Sequence, residues 1–157
     1  MKQATLCFVF RGNPYQHILL GYKKRGFGQG KWDGFGGKPQ DGESLVQAAV
    51  RELKEESGLL AGKSDLKPMG VITFVFPAKP EWDQEVHVFV ARKWQGEPME
   101  SEEMRPDWFG IHQIPLEEMW DDSRHWLPQI ISGECINGSF TMDQDNEHVK
   151  EFTIQVC

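Results

Sequence analysis

Three glutamates stand close together in one window of this chain, which runs from Gly37 to Leu59. Glu52, Glu55 and Glu56 lie in the segment Leu45–Ser57, which lacks Pro and Gly and is rich in Ala, Leu, Glu and Lys. This composition predicts a helix, and at about 100° per residue the three carboxylates project from one side of it. Such hard oxygen ligands suit Mg²⁺ or Mn²⁺, and proteins commonly hold Mg²⁺ with a few carboxylates and substrate phosphates. The window therefore predicts a metal–phosphate site.

A solvated helix surface is the alternative interpretation, with Arg51 and Glu55 paired at a spacing of four residues. The spacing of the whole window argues against it. From Gly37 the chain follows the pattern Gly-x5-Glu-x7-Arg-Glu-apolar-x-Glu-Glu-x-Gly-apolar. At ordinary residue usage, a chance match at these fixed positions occurs roughly once in 10⁸ windows. The pattern resembles the Nudix box of the Nudix hydrolase family at every specified position.

Composition favours a single domain that spans residues 1–157, because no linker, repeat or low-complexity segment interrupts the chain. No apolar run is long enough for a membrane span, and the N-terminal segment is too short and wrongly flanked for a signal peptide. The cysteines Cys7, Cys135 and Cys157 are odd in number, far apart and without CxxC spacing. We therefore expect neither a disulfide framework nor a zinc site, and a location in the reducing cytoplasm.

The net charge of −7 opposes binding to a long nucleic acid, which normally needs a basic face. It does not oppose a small polyphosphate, because a metal ion can bridge acid to phosphate. A local basic cluster also surrounds the box: Lys23, Lys24, Arg25, Lys38 and Arg51. The predicted partner is a small nucleoside triphosphate, with no nucleic-acid polymer and no membrane. A monomer is expected, because the chain shows no helical seam or apolar stripe.

Apolar alternation and turn residues predict the remaining elements. Strands are expected at Ala4–Phe10, Ile18–Lys24, Val71–Phe76 and Glu85–Trp94, and a closing hairpin at Ser139–Asp143 and Val149–Gln155. Helical potential is found at Leu116–Trp120 and His125–Ile131, and Gly58 is a plausible C-cap of the box helix. Strands on both sides of one helix, with a further helix near the end, predict an α/β sandwich with a mixed sheet.

The chain outside the box resembles MutT-like members of the Nudix family that remove oxidised purine nucleotides from the nucleotide pool. The matching segments are Leu19–Gly21, Lys23–Gly28, Trp32–Lys38, Val86–Phe89, Glu103–Pro106, Trp108–Phe109 and Met119–Trp120. This resemblance implies the α/β/α Nudix fold, built from a mixed sheet and the box helix. It also implies attack of a metal-polarised water on the β-phosphorus of a triphosphate such as 8-oxo-dGTP or 2-hydroxy-dATP. The products would be the monophosphate and pyrophosphate.

The resemblance further implies catalytic roles for individual residues. The three box glutamates would bind Mg²⁺, or Mn²⁺, with help from the Gly36 carbonyl and from Glu103 on a later loop. Arg51 would hold the box carboxylates in place, and Glu43 would anchor the turn that enters the helix. Glu103 lies in an acidic loop, so a plain surface role stays open for it. The sequence does not choose which glutamate acts as the general base.

A base pocket is implied by the same resemblance. Three aromatic residues match the stacking positions, and three further residues could line the remainder: Phe27, Phe74 and Trp120, then Thr5, Leu6 and Lys23. The residues that read the base differ from the family pattern. Asp33 stands where the family has Asn, and the pair after Trp120 aligns as Asp122 and Ser123, or, with a shift of one residue, as Asp121 and Asp122.

Asp33 changes the chemistry of this pocket, because Asn both donates and accepts whereas an ionised Asp only accepts. If Asp33 and Asp122 approach each other, one of them can stay protonated and restore a donor. We therefore expect an acid pair in place of the family's two adjacent Asp residues.

Two other functions stay open. One is hydrolysis of another compact triphosphate, such as dihydroneopterin triphosphate, or of a nucleoside diphosphate derivative. The other is nucleotide sensing without turnover, which the intact box glutamates disfavour.

Overall fold

The computed structural model describes residues 1–157 and contains eight β-strands and two α-helices. The strands are β1 Lys2–Arg11, β2 His17–Lys23, β3 Trp32–Asp33, β4 Leu66–Val75, β5 Gln84–Ala91, β6 Met104–Gly110, β7 Ile136–Met142 and β8 Val149–Val156. The helices are α1 Leu45–Ser57 and α2 Ser123–Ile131. Neither helix has the length and apolar character needed to cross a membrane. Single 3₁₀ turns lie at Lys63–Asp65, Pro80–Trp82 and Leu116–Glu118.

All eight strands belong to one mixed sheet, as the sequence predicted. The strand order is β3-β2-β1-β5-β4-β7-β8, and β6 pairs with β2. The pairs β1–β5 and β4–β7 are parallel, whereas every other pair is antiparallel. Near the middle of β1, its neighbour β2 diverges, and the glycine-rich segment formed by residues 33–37 takes its place through a bridge between Cys7 and Phe35. This exchange brings a loop into the centre of the sheet.

Both faces of the sheet are covered, because successive side chains of a strand point to opposite sides. Phe8 of β1 is fully buried against α2, where its ring lies edge-on to Trp126 at 5.7 Å. Cys7 and Val9 face the other side and share a core with Leu53 of α1. Two apolar cores therefore lie on either side of one sheet, and the predicted α/β/α sandwich is confirmed.

Helix α1 has the bounds that its composition predicted. Ser44 is its N-cap, and the Ser44 hydroxyl and the Gln47 side chain exchange hydrogen bonds with each other's backbone N–H in a capping box. Gly58 ends the helix with a left-handed φ of 80°, and its N–H donates to the Lys54 carbonyl, so the predicted C-cap is confirmed. These signals are local, which explains why the sequence alone located both ends.

Elements held by long-range contacts differ more from prediction. The region Leu116–Trp120 contains only a 3₁₀ turn, Leu116–Glu118, in place of the expected helix; its N-cap Pro115 provides no capping side chain. The short strand β3 was not predicted, because it lies in a glycine-rich segment. Its pairing with Gly21 and Tyr22 of β2 supplies the order that local sequence does not show.

The expectation that no disulfide forms was wrong, because Cys135 and Cys157 are bonded to each other. They are 22 residues apart in sequence, but β7 and β8 form an antiparallel hairpin in which Ile136 pairs with Val156. Cys135 precedes that pair and Cys157 follows it, and the Cys157 N–H donates to the Cys135 carbonyl at 3.0 Å. Cys7 is a free, buried thiol. Counting cysteines could not reveal this pairing.

We predict that Cys157→Ser lowers the free energy of unfolding by about 3 kcal/mol, because it frees a loop of this length in the unfolded chain. For a domain of this size the midpoint temperature should fall by roughly 5–10 °C. Thermal unfolding by circular dichroism, with and without a thiol reductant, measures both. Reductant should destabilise the wild-type chain and leave Cys157→Ser unchanged. Equal sensitivity of the two proteins to reductant would contradict the prediction.

Candidate active site

A cavity of about 280 Å³ opens at the place where the glycine-rich segment meets the sheet. Its walls come from β1, from the end of β2 and the following loop, from β4, and from the chain around α2. Eight of the residues that the resemblance suggested for substrate binding line this cavity: Thr5, Leu6, Lys23, Phe27, Asp33, Phe74, Trp120 and Asp122. The fold thus gathers residues that are separated by more than one hundred positions in the sequence.

One end of the cavity is bounded by Gly36 and Glu56. The Gly36 N–H donates to Glu56 Oε1 at 2.9 Å, which connects the glycine-rich segment to α1. A side chain at position 36 has no room, because its Cβ would lie 1.8 Å from the Thr5 carbonyl oxygen. Glu56 is only 8% exposed, and burial is the main cause that raises its pKa to about 8, with smaller contributions from Glu52 and Glu103.

Arg51 organises the carboxylates on the neighbouring face of α1. Its Nε and Nη2 donate to the two oxygens of Glu43 at 2.8 and 2.9 Å, and its Nη1 donates to Glu52 at 2.7 Å and to Glu55 at 3.3 Å. The hydrogen bond from Arg51 is the first cause that lowers the pKa of Glu43 to about 2. Glu43 also accepts from the Gln40 N–H at 3.0 Å, so it ties the turn before the helix to Arg51.

Glu103 approaches this region from the loop before β6 without lining the cavity. Its carboxylate lies 3.8 Å from Lys23 Nζ and 3.9 Å from Arg25 Nη2. Its charge contributes to raising the pKa of both Glu52 and Glu56.

No three acidic, histidine or cysteine side chains converge on a single point in this structure, and Arg51, Lys23 and the Gly36 N–H engage the box carboxylates and Glu103. The donor set nevertheless fits a divalent cation. It consists of hard carboxylate oxygens that repel one another.

The opposite end of the cavity contains two acids, the half-buried Asp33 and the buried Asp122. Asp33 Oδ1 accepts from the Gly34 N–H at 2.8 Å, and Asp122 Oδ2 accepts from Trp126 Nε1 at 2.7 Å. Burial is the main cause that raises the pKa of Asp33 to about 7, and the charge of Asp122 adds to it. Burial likewise raises the pKa of Asp122 to about 6. The charge of Asp122 therefore acts on Asp33 within the same cavity, although no hydrogen bond joins the two carboxyls directly.

The residues next to Asp122 are directed elsewhere. Asp121 Oδ2 accepts from the Val149 N–H at 2.9 Å, and its other oxygen lies 3.3 Å from Arg124 Nε. Ser123 is 2% exposed and begins α2 outside the cavity wall. Of the acids that the two alignments offered after Trp120, only Asp122 lines the cavity. The alternative pair of Asp121 with Asp122 therefore finds no support in the geometry.

Aromatic rings form much of the remaining wall. Phe27 stacks on Trp120 with centroids 5.2 Å apart and an angle of 25°, and Lys31 Nζ lies 4.9 Å from the centroid of a Trp120 ring. Phe74 stacks on Phe140 behind it at 5.7 Å. The sequence interpretation missed several lining residues: Ala4, Lys31, Phe76, Gln84, Met104, Trp126 and Met142. Lys31 lies between two segments that carry the family resemblance, which could have drawn attention to it, whereas most of the others carry no local signal.

Comparison with known proteins agrees with this architecture. Residues 1–130 match the family model described as the NUDIX domain, and the chain belongs to the Nudix hydrolase family. Members of this family generally need a divalent metal ion. The nearly complete structural likeness to the MutT protein of Bacillus halodurans supports the fold: the TM-score is 0.82, at 24% identity, over 99% of this chain and 98% of that one.

Two curated relatives lie closer in sequence, and both are called oxidized purine nucleoside triphosphate hydrolase. The Mus musculus protein is 44% identical over 140 residues, which cover 89% of this chain and 87% of that protein. The Danio rerio protein is 50% identical over 139 residues, covering 88% and 85% respectively. The likeness therefore extends over most of the chain and well beyond the box.

The raised pKa of Asp33 predicts a pH-dependent stability. Folded Asp33 keeps its proton up to about pH 7, whereas in the unfolded chain it releases the proton near 3.8. The unfolded state therefore binds fewer protons in this window, so this residue lowers the stability of the protein as the pH rises from about 4 to 7. An asparagine in its place cannot ionise and keeps a carbonyl oxygen for the Gly34 N–H. We expect Asp33→Asn to gain at least about 1 kcal/mol over the wild type at pH 8, and much less at pH 4.5.

Urea unfolding of the two proteins from pH 4.5 to 8.5 measures this difference. Asp107→Asn is the matched control. Asp107 Oδ1 accepts from the backbone N–H of the following residue, Trp108, at 2.9 Å, as Asp33 does from Gly34, but Asp107 lies on an exposed surface. A difference between Asp33→Asn and the wild type that stays constant over the whole pH range would refute the prediction.

Proposed function

We propose that this chain hydrolyses oxidised purine nucleoside triphosphates, such as 8-oxo-dGTP or 2-hydroxy-dATP, to the monophosphate and pyrophosphate with the help of Mg²⁺. One observation carries the proposal. A single cavity has aromatic walls, with Asp33 and Asp122 at one end and Glu56 of the Nudix box at the other. A planar base and a polyphosphate would need these two ends. The names of the two curated relatives support the same substrate class.

The metal-binding end would be formed by Glu52, Glu55, Glu56 and Glu103 with the Gly36 carbonyl. When bound there, Mg²⁺ or Mn²⁺ would lower the pKa of a bound water and polarise the phosphate. The contribution of the chain is to orient these ligands. Arg51 fixes the Glu52 carboxylate at 2.7 Å, and the Gly36 N–H holds one oxygen of Glu56. The second oxygen of Glu56 is thereby left free to bind a cation or to accept a proton.

Lysines also contribute to the cavity wall. Lys23, Lys31 and Lys38 all line the cavity, and their charges would offset those of a triphosphate. Lys23 also lowers the pKa of Glu56 through its charge, and it lies 3.8 Å from Glu103. A triphosphate that engages Lys23 would compete with this ion pair and release Glu103 toward the box glutamates.

Base recognition would fall to Asp33 and Asp122. Each carboxyl has one oxygen engaged by the protein, through Gly34 or Trp126, which leaves the other oxygen for the base. Because burial favours the neutral form of both acids, one of them would donate a hydrogen bond while the other accepts. In the family pattern an Asn and two adjacent Asp residues recognise the base. Here the pair of Asp33 and Asp122 would do so instead. Asp33 stands where the family pattern has Asn. This difference favours a second candidate function, the hydrolysis of another compact triphosphate such as dihydroneopterin triphosphate.

We also propose that the chain acts as a monomer on the free nucleotide pool of the cytoplasm. It would have neither a nucleic-acid polymer nor a membrane as partner. The charge of −7 supports the absence of a polymer. The bond between Cys135 and Cys157 is unusual for a reducing compartment, so the compartment needs its own experiment: localisation of the tagged full chain by microscopy.

The deciding experiment measures Mg²⁺-dependent pyrophosphate release from 8-oxo-dGTP, 2-hydroxy-dATP, dGTP and dihydroneopterin triphosphate. We expect kcat/KM for an oxidised purine to exceed that for dGTP by tenfold or more, about 1.4 kcal/mol. Glu56→Gln should lower kcat by about 10²–10⁴-fold, whereas Glu97→Gln, at an exposed loop position, should not. Equal rates on all four triphosphates would reject the substrate class, and metal-independent rates would reject the mechanism.

Asp33→Asn tests the acid pair separately. The variant restores a permanent donor next to Asp122, so we expect the ratio of kcat/KM between 8-oxo-dGTP and 2-hydroxy-dATP to change by about tenfold or more, while kcat on the better substrate changes much less. Steady-state kinetics on both substrates measures this ratio. An equal loss on both would show that Asp33 supports the fold and does not read the base.

A further inference from the structure

Trp82 lies beside the mouth of the cavity and has no role in the function proposed above. Its ring is edge-on to Phe27, with centroids 5.1 Å apart at 77°, and edge-on to Phe76, at 5.7 Å and 87°. Phe27 and Phe76 both line the cavity, whereas Trp82 does not. Trp82 therefore packs against two residues of the cavity wall without lining the cavity itself.

Phe27 needs such support. It is 60% exposed and stands between Gly26 and Gly28, whose φ angles of 82° and 83° lie in the left-handed region. Glycines of this kind leave a loop with more backbone freedom than other residues would. The ring of Phe27 is in contact with Trp120 at 5.2 Å and with Trp82 at 5.1 Å, and these are its aromatic neighbours. Removing Trp82 would leave Trp120 as the single ring that holds Phe27.

Trp82 is itself held firmly. It ends the 3₁₀ turn Pro80–Trp82, and the residue after it, Asp83, accepts a hydrogen bond from the Phe76 N–H at 2.7 Å. Lys79 Nζ lies 4.0 Å from the centroid of the Trp82 ring, within the range of a cation–π contact. The Trp82 N–H donates to the Lys79 carbonyl at 2.9 Å. The turn from residue 76 to residue 83 therefore provides a rigid base for the Trp82 ring.

We propose that Trp82 is a positioning residue for base binding, which keeps Phe27 in the cavity wall beside Trp120 before the nucleotide arrives. The proposal rests on the proposed function, since it assigns the aromatic end of the cavity to the base. It follows that Trp82 acts on binding and not on phosphate chemistry. A purine offers a larger ring surface to Phe27 than a pyrimidine does, so Trp82 also contributes to the preference for purines.

The test compares Trp82→Ala, Trp82→Phe and the wild type. We expect Trp82→Ala to raise KM for the best purine triphosphate, and Kd for dGMP measured by calorimetry, roughly three- to tenfold. The value of kcat should stay within about twofold, and the preference for dGTP over dCTP should fall. Trp82→Phe retains an aromatic edge against Phe27, so it should recover most of the wild-type affinity.

Trp94→Ala is the matched control, because Trp94 pairs with Trp108 at 5.7 Å in the other core, away from the cavity. It should leave KM and Kd unchanged. Unaltered KM and Kd in Trp82→Ala, or an equal rise in Trp94→Ala, would overturn the proposal; so would a loss in kcat alone.

If the wild-type chain hydrolysed no triphosphate, the proposed function would fail. The dGMP affinities of the wild type and of Trp82→Ala would still decide the role of Trp82. Absence of dGMP binding to the wild type would overturn it as well.

Discussion

The attachment of the glycine-rich segment to the middle of β1 is the constraint on which the site depends. Cys7 and Phe35 exchange two backbone hydrogen bonds of 2.6 and 2.9 Å, and the Thr5 N–H donates to the Gly37 carbonyl at 2.8 Å. Only glycine fits at position 36 in this close approach. Because the segment is fixed there, its start places Asp33 at one end of the cavity and its finish places Gly36 against Glu56. One short piece of backbone thus determines the distance between the two ends.

Burial of acids is the energetic cost of this arrangement. Asp33, Asp122 and Glu56 all have a raised pKa with burial as the first cause, so each favours the neutral form in the folded chain. Such groups are uncommon where stability alone matters, and they cluster at functional sites. The two apolar cores on either side of the sheet supply the stability that tolerates them. In the proposed function the same shift would have different uses at the two ends: a carboxyl that donates to a base, and a carboxylate that a cation can stabilise.

Local signals in the sequence located α1, its C-cap and the glutamates, since helix propensity, capping residues and the Nudix box each depend on nearby residues only. Apolar alternation likewise located β1, β2 and the hairpin of β7 and β8. Prediction failed where order comes from distant partners. The strand β3 exists because it pairs with β2, and the disulfide exists because the hairpin joins residues 135 and 157. The contact between Phe27 and Trp82 also depends on partners that are distant in the sequence, since the two residues are 55 positions apart.

The sequence by itself determined the family and the reaction class that the family implies, because these depend on residue types at fixed spacing. Only the tertiary structure decided which acid accompanies Asp33. Both alignments offered Asp122, but the fold directs Asp121 to the Val149 N–H and buries Ser123 at the start of α2. Side-chain direction depends on where α2 begins and on how the hairpin of β7 and β8 packs against it. Those are contacts between distant segments, which no local pattern encodes.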